Sequence, residues 1–115
     1  MTRSVTTIEQ SKRLLELGFN EATADFSRYL VASNPNKKNK IPAWSLSALL
    51  DEIPQSVITD NNDEYTLQMG KEDDLTYVFG YYCEYTATNV VEFVSQEAIE
   101  AAYELICWLL ENKYI

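Results

Sequence analysis

EAIEAAYELICWLLE, residues 97–111, carries apolar side chains at the spacing of one helix face. Ile99, Ala102, Tyr103, Ile106, Leu109 and Leu110 recur at i, i+3, i+4 and i+7. Ala98, Leu105 and Trp108 widen that face beyond what a surface helix needs, while Glu97, Glu100, Glu104 and Glu111 hold the other side in water. Ser95 is the expected N-cap, and the acids at Glu97 and Glu100 suit the positive end of the helix dipole. A helix this apolar must be covered on several sides. The rest of the chain is therefore expected to wrap it.

Immediately upstream the period changes to two. Tyr65, Leu67 and Met69 alternate with Thr66 and Gln68, and Gly70 to Asp74 is expected to turn the chain. Tyr77, Phe79, Tyr81, Cys83 and Tyr85 then alternate with Thr76, Val78, Gly80, Tyr82 and Glu84. After a turn near residues 87–89, Val91 and Phe93 alternate with Val90, Glu92 and Val94. This predicts a three-stranded antiparallel meander with the last helix lying on its strongly apolar face.

The first half of the chain is expected to be helical. Thr6-Thr7-Ile8-Glu9 and Thr7-Ile8-Glu9-Gln10 both match a capping box, and Gly18 suits the C′ position of the helix they open. Asn20 is placed to cap a second helix carrying Ala22, Phe26, Tyr29 and Leu30, giving a helical hairpin. SNPNKKNK, residues 33–40, is the one break in composition and sits within an exposed loop over 31–41. IPAWSLSALLDEIP, residues 41–54, is expected to be a third helix bounded by prolines, with Leu46, Leu49, Leu50 and Ile53 as its stripe. Trp44 is assigned to packing rather than to a ligand pocket. The predicted fold is thus α+β, one domain over 1–115: N-terminal helices, a three-stranded meander and a long C-terminal helix.

Composition narrows the function. An apolar fraction of 46% and a charged fraction of 23% over 115 residues are those of a globular domain with a real core. No apolar run reaches the roughly 20 residues that span a bilayer, and MTRSVTTIEQ lacks the apolar core of a signal peptide, so a cytoplasmic location is expected. Cys83 and Cys107 fall on apolar faces and are expected to be reduced core thiols. With no histidine, zinc sites and His-based acid–base chemistry lose their commonest residue. The net charge of −9 is uneven: residues 1–43 hold seven Lys/Arg against four Asp/Glu, a balance of +3, and residues 44–115 hold two against fourteen, a balance of −12. An acidic body repels phosphate, which disfavours direct nucleic-acid binding.

No catalytic residue, cofactor site or metal site is expected. The acid-rich run starting at Asp60 fails as a calcium loop, because Tyr65 stands where Gly is required and Lys71 where Glu is required. The three glycines, Gly18, Gly70 and Gly80, are too scattered for a phosphate loop. The candidate site is the second face of the meander. Val78, Tyr82, Val90 and Val94 point away from the helix side next to Glu84 and Glu92, an aliphatic and tyrosine patch rimmed by acids that suits a protein partner or self-association. The competing expectation is that the N-terminal helices cover this face.

QSKRLLELGF, IPAWSLSALLDEIP and AAYELICWLLENKYI together resemble a family of short uncharacterised bacterial proteins associated with prophages and other mobile elements. The motif P-x-W-S-L-x-x-L-L and a closing CWLLEN-like helix carry the resemblance, which spans nearly the whole chain. It implies a mobile-element setting and brings no activity or catalytic residue with it. The expected function is a small acidic accessory protein that binds another protein without catalysis. Two alternatives stay open: an acidic mimic of nucleic acid that blocks a nucleic-acid-binding protein, and a carboxylate-based enzyme.

Overall fold

The computed structural model describes residues 4–29 and 40–115. Thr7 opens α1 (Ile8–Glu16) through the second of the two overlapping capping boxes. Its hydroxyl accepts from Gln10 N–H, and the Gln10 side chain accepts from Thr7 N–H, each at 3.1 Å. Gly18 closes the helix at φ +91°, a region that suits glycine. Phe19 N–H reaches Leu14 O and Gly18 N–H reaches Leu15 O, the paired closure of a Schellman motif.

Beyond that point the expected helical hairpin gives way. Asn20 caps a single 3-10 turn, Glu21–Thr23, and the chain then extends as β1 (Phe26–Tyr29). It pairs antiparallel with β2 (Lys40–Ala43), where the third helix was expected to begin. The i, i+4 spacing around Phe26 is too short to separate helix from strand, and pairing with a distant segment decides it. In β2 the alternation buries Ile41 and Ala43, and Pro42 is tolerated because both strands of a two-stranded ribbon are edges. Lys40 and Ile41 therefore leave the expected loop. Leu30 and residues 31–39 lie outside the described residues.

The third helix is real but shorter, α2 (Leu46–Glu52), with Ser45 as N-cap. Ser45 Oγ accepts from Ala48 N–H at 3.1 Å, while the Asp25 carboxylate accepts from both Ser45 N–H and Ser45 Oγ. Burial pushes the Asp25 carboxyl up, but these two hydrogen bonds outweigh it and hold the net value below the usual carboxylate range. Pro54 stops α2 at Ile53, as expected.

The meander has four strands, not three: β3 (Ser56–Ile58), β4 (Glu64–Asp73), β5 (Thr76–Cys83) and β6 (Thr88–Ser95), antiparallel in that order. With β1 and β2 forming a separate sheet, the molecule is α+β with two antiparallel sheets. β4 continues through Gly70 to Asp73, and the reversal comes later, where Asp73 Oδ1 accepts from Leu75 N–H at 2.8 Å. α3 (Ala98–Glu111) follows β6. Its cap is Glu97, not Ser95, whose hydroxyl instead accepts from Glu97 N–H at 3.2 Å.

α3 lies on β5 and β6 and buries eight of its fourteen residues, among them Leu105, Ile106 and Leu109 at zero exposure. Each such side chain stabilises by about 1.5–3 kcal/mol. Facing it are Tyr65, Phe79, Tyr81 and Cys83, with Leu67, Tyr77, Val91 and Phe93 half-buried around them. Tyr81 is fully enclosed and donates its hydroxyl to Pro54 O at 2.6 Å. Met69 and Tyr85, expected on this face, are exposed. β3 ends before Met69, leaving that part of β4 an uncovered edge, and Tyr85 lies beyond the end of β5.

Trp44 is the second centre of the core. It has no exposed surface, its ring centroid lies 5.2 Å from that of Phe19, and its Nε1 donates to Thr23 Oγ1 at 2.9 Å. Thr6 holds its backbone from both sides: Thr6 N–H donates to Trp44 O, and Trp44 N–H donates to Thr6 Oγ1. The buried hydroxyls of Thr6 and Ser11 pair at 2.8 Å, so this corner leaves neither unsatisfied.

Candidate functional site

Of the described helices, α3 packs on β5 and β6 of the four-stranded sheet, α2 packs against α3, and α1 packs against β2. Among the described residues no helix covers the opposite side. There the register sets Gln68 beside Gly80 and Gly80 beside Glu92, with Gly70, Val78 and Val94 in the next row and Tyr82 beside Asn89 at the other end. These rows surround a shallow hollow of about 360 Å³. Gln68, Gly70, Val78, Tyr82, Asn89 and Glu92 line it, and Met69 and Lys71 border it from the free edge of β4.

Of the six residues expected at this site, Val78, Tyr82 and Glu92 line the hollow. Val94 adjoins it as the cross-strand partner of Val78 and is 48% exposed. Val90 is exposed but stands at an irregularity: Tyr81 pairs with Val91 and Tyr82 with Asn89, so Val90 is the extra residue of a β-bulge. Glu84 is not part of the site. It follows β5 and lines a separate open hollow with Asn62, Asp63, Glu64 and Tyr85. The residues that sequence reading missed are Gln68, Gly70 and Asn89. Carrying the β4 alternation past Gly70 would have found the first two. Asn89 needed the bulge, which has no local signature here.

The site's polar groups are few and placed. Glu92 Oε2 accepts from Asn89 Nδ2 at 3.1 Å, a bond between neighbours brought to one face by the bulge. Lys71 Nζ lies 5.3 Å from the centre of the Tyr77 ring, a cation–π contact at the far end. No nucleophile stands beside a base on this face. The groups with displaced proton affinity lie outside the hollow's lining. Burial raises the hydroxyls of Tyr81 and Tyr103 above their ordinary value, and burial likewise pushes up the Cys107 thiol. Glu104 is raised by partial burial and then by the neighbouring Glu100 carboxylate.

The acid-rich run at Asp60 is a tight turn between β3 and β4. Asn62 sits at φ 67°, Asn62 N–H donates to Thr59 O and Thr59 N–H donates to Asp63 O. Among the described residues no three His, Cys, Asp or Glu side chains converge as a metal ion needs. No described helix is long and apolar enough to cross a membrane. Comparisons with protein-family models, with curated proteins and with solved structures each find no match for the chain.

Proposed function

We propose that this is a small accessory protein that acts by binding another protein on the uncovered face of its sheet, without catalysis. The observation that carries this reading is one-sided packing. The helices occupy one face, and the other presents Val78, Tyr82 and Val94 among the polar side chains of Gln68, Lys71, Asn89 and Glu92, a more apolar mixture than a purely solvated surface carries. Tyr82, an aromatic with a hydroxyl, half-exposed between Thr66 and Asn89, is the type of residue that anchors interfaces. Glu92 is exposed at the hollow, and the chain as a whole carries a net charge of −9. The partner that fits is therefore a protein with an apolar centre ringed by Lys and Arg. Service to a mobile element rests on the sequence resemblance alone.

The test begins with capture of partners from the native host on the intact chain, followed by calorimetric titration of each purified partner. Tyr82→Ser combined with Val94→Ser should weaken a genuine partner by at least about tenfold, a loss of about 1.4 kcal/mol, with little change in melting temperature. Rising salt should weaken the same complex through its basic rim. A folded double variant that keeps every partner at full affinity would sink the proposal.

A further inference from the structure

The uncovered face of the four-stranded sheet has an order along its strands as well as a composition. On β5 the outward positions are Val78, Gly80 and Tyr82, and the register carries them across to Val94, Glu92 and Asn89 of β6. One end row is an aliphatic pair and the other is led by a tyrosine. The middle row has no side chain on β5, a carboxylate on β6 and Gln68 on β4. Successive rows stand about 6.8 Å apart, twice the rise of an antiparallel strand.

Side chains four apart on an α-helix are separated by about 6 Å along its axis. A helix running along β5 therefore sets i, i+4 and i+8 over the three rows, with a drift of less than about 2 Å. Its diameter of about 10–12 Å matches the distance of about 10 Å from the axis of β4 to that of β6, two strand spacings. β5 and β6 already take one helix, α3, on their inner side. A visiting strand fits poorly, because it needs an open backbone edge. β6 is interrupted by its bulge, and the free part of β4 carries Lys71, Glu72 and Asp73.

The end rows and the middle row ask for different side chains. Val78 and Val94 at one end and Tyr82 at the other receive apolar groups. Between them, the hollow of about 360 Å³ separates Gln68 from Glu92 and leaves room for a long side chain lying across it. Asn89 Nδ2 holds Glu92 Oε2 at 3.1 Å, which orients the carboxylate, and its other oxygen has no partner among the described residues. Building on the reading of this face as a protein-binding surface, we propose that the element it binds is an amphipathic α-helix lying along β5. The helix carries apolar side chains at i and i+8, over the two end rows, and an arginine or lysine at i+4, over the hollow. The net charge of −9 favours the approach of such a basic segment.

The test is titration of the isotope-labelled full chain with a capped, alanine-based helical peptide carrying Leu, Arg and Leu at i, i+4 and i+8. Backbone amide signals report the contact. Shifts should saturate and centre on Gln68, Val78, Tyr82, Asn89, Glu92 and Val94. A control peptide with proline beside the arginine keeps the charge and breaks the helix, and it should bind at least about tenfold more weakly. A control with glutamine for the arginine should bind about two- to fivefold more weakly, the worth of one exposed ion pair. Tyr82→Ser with Val94→Ser should abolish saturable binding at an unchanged melting temperature. No saturable binding, equal binding of the proline peptide, or shifts spread over the acidic surface would each overturn the proposal. A captured partner separates this inference from the reading beneath it. If the double variant loses that partner, and secondary chemical shifts show its contact segment to be strand or loop, the face binds protein and the helix is refuted. If the double variant keeps every partner, both fall.

Discussion

Replacing Gly80 by alanine puts a methyl group into space the neighbouring strand already fills. Its Cβ would lie 2.4 Å from Val91 O, 3.0 Å from Glu92 Cα and 3.3 Å from Val91 C, all backbone atoms of β6. A carbon–oxygen contact closes comfortably at about 3.3 Å, so the two strands must part by about 1 Å at this point. Parting them strains or breaks about two ladder hydrogen bonds at about 0.5–1.5 kcal/mol each, in line with the 1–3 kcal/mol typical of overpacking. Against this stands the ordinary gain of about 0.5–1 kcal/mol when a strand glycine becomes alanine. The net expectation is a loss of about 1–2 kcal/mol, or a melting temperature lower by about 4–10 °C in a domain this size. Gly70→Ala is the internal control. It lies in the same sheet with nothing within 4 Å of its would-be Cβ, and it should be neutral or slightly stabilising. Urea unfolding of both variants measures the difference, and hydrogen exchange should quicken in β6 more than in β4. Equal stabilities for the two variants, or a Gly80→Ala protein as stable as the parent, would refute the close approach of β5 and β6.

The two tryptophans should separate in the same assay. Trp44→Ala, emptying a fully enclosed site, should lose about 3–5 kcal/mol, and Trp108→Ala clearly less, because that ring is only half-buried between Tyr81 and Tyr114. Ala87 sits at φ 53° on an exposed turn, so Ala87→Gly should stabilise by about 0.5–1 kcal/mol, and a destabilised variant would mean the turn has another shape. Cys83 and Cys107 should resist a thiol reagent in the native protein and react after denaturation without added reductant. Burial shields both, and it raises the Cys107 thiol further from ionisation. Prompt labelling of either in the folded state would place it on the surface.

What could be read from the chain beforehand was what local chemistry specifies. α1 announced itself through a capping box and a C′ glycine, and α3 through an unbroken apolar period. Both signals act within one turn of the residues that carry them. β4 and β5 were legible because alternation over several residues is unambiguous. β1 and β2 were not, since the spacing of four between Ala22 and Phe26 fits either period, and the choice came from pairing with residues 40–43. β3 was lost because three residues cannot display a period. The burial of the tryptophans was legible only in part for a related reason. Trp108 lies near a helix face that counting can find, whereas the full burial of Trp44 depends on Phe19, Thr6 and Thr23 meeting in space. At the sheet face, Val78, Tyr82, Glu92 and Val94 followed from alternation alone, and Glu84 was included because nothing local marked the end of β5.

The bulge at Val90 bears on how a partner would use this face. β6 is an edge strand with one charged residue in eight and no proline, a composition that ordinarily invites backbone pairing with another chain. The free part of β4 is guarded differently, by Lys71, Glu72 and Asp73. An extra residue in β6 breaks the regular spacing of its outward N–H and C=O groups, a recognised means of blunting such an edge. With one edge charged and the other kinked, docking through side chains on the face is favoured over strand addition along either border. The same bulge brings Asn89 and Glu92 to one side, where they bond and fix a carboxylate at the rim of the hollow. The irregularity that discourages pairing at the edge thus shapes the surface beside it.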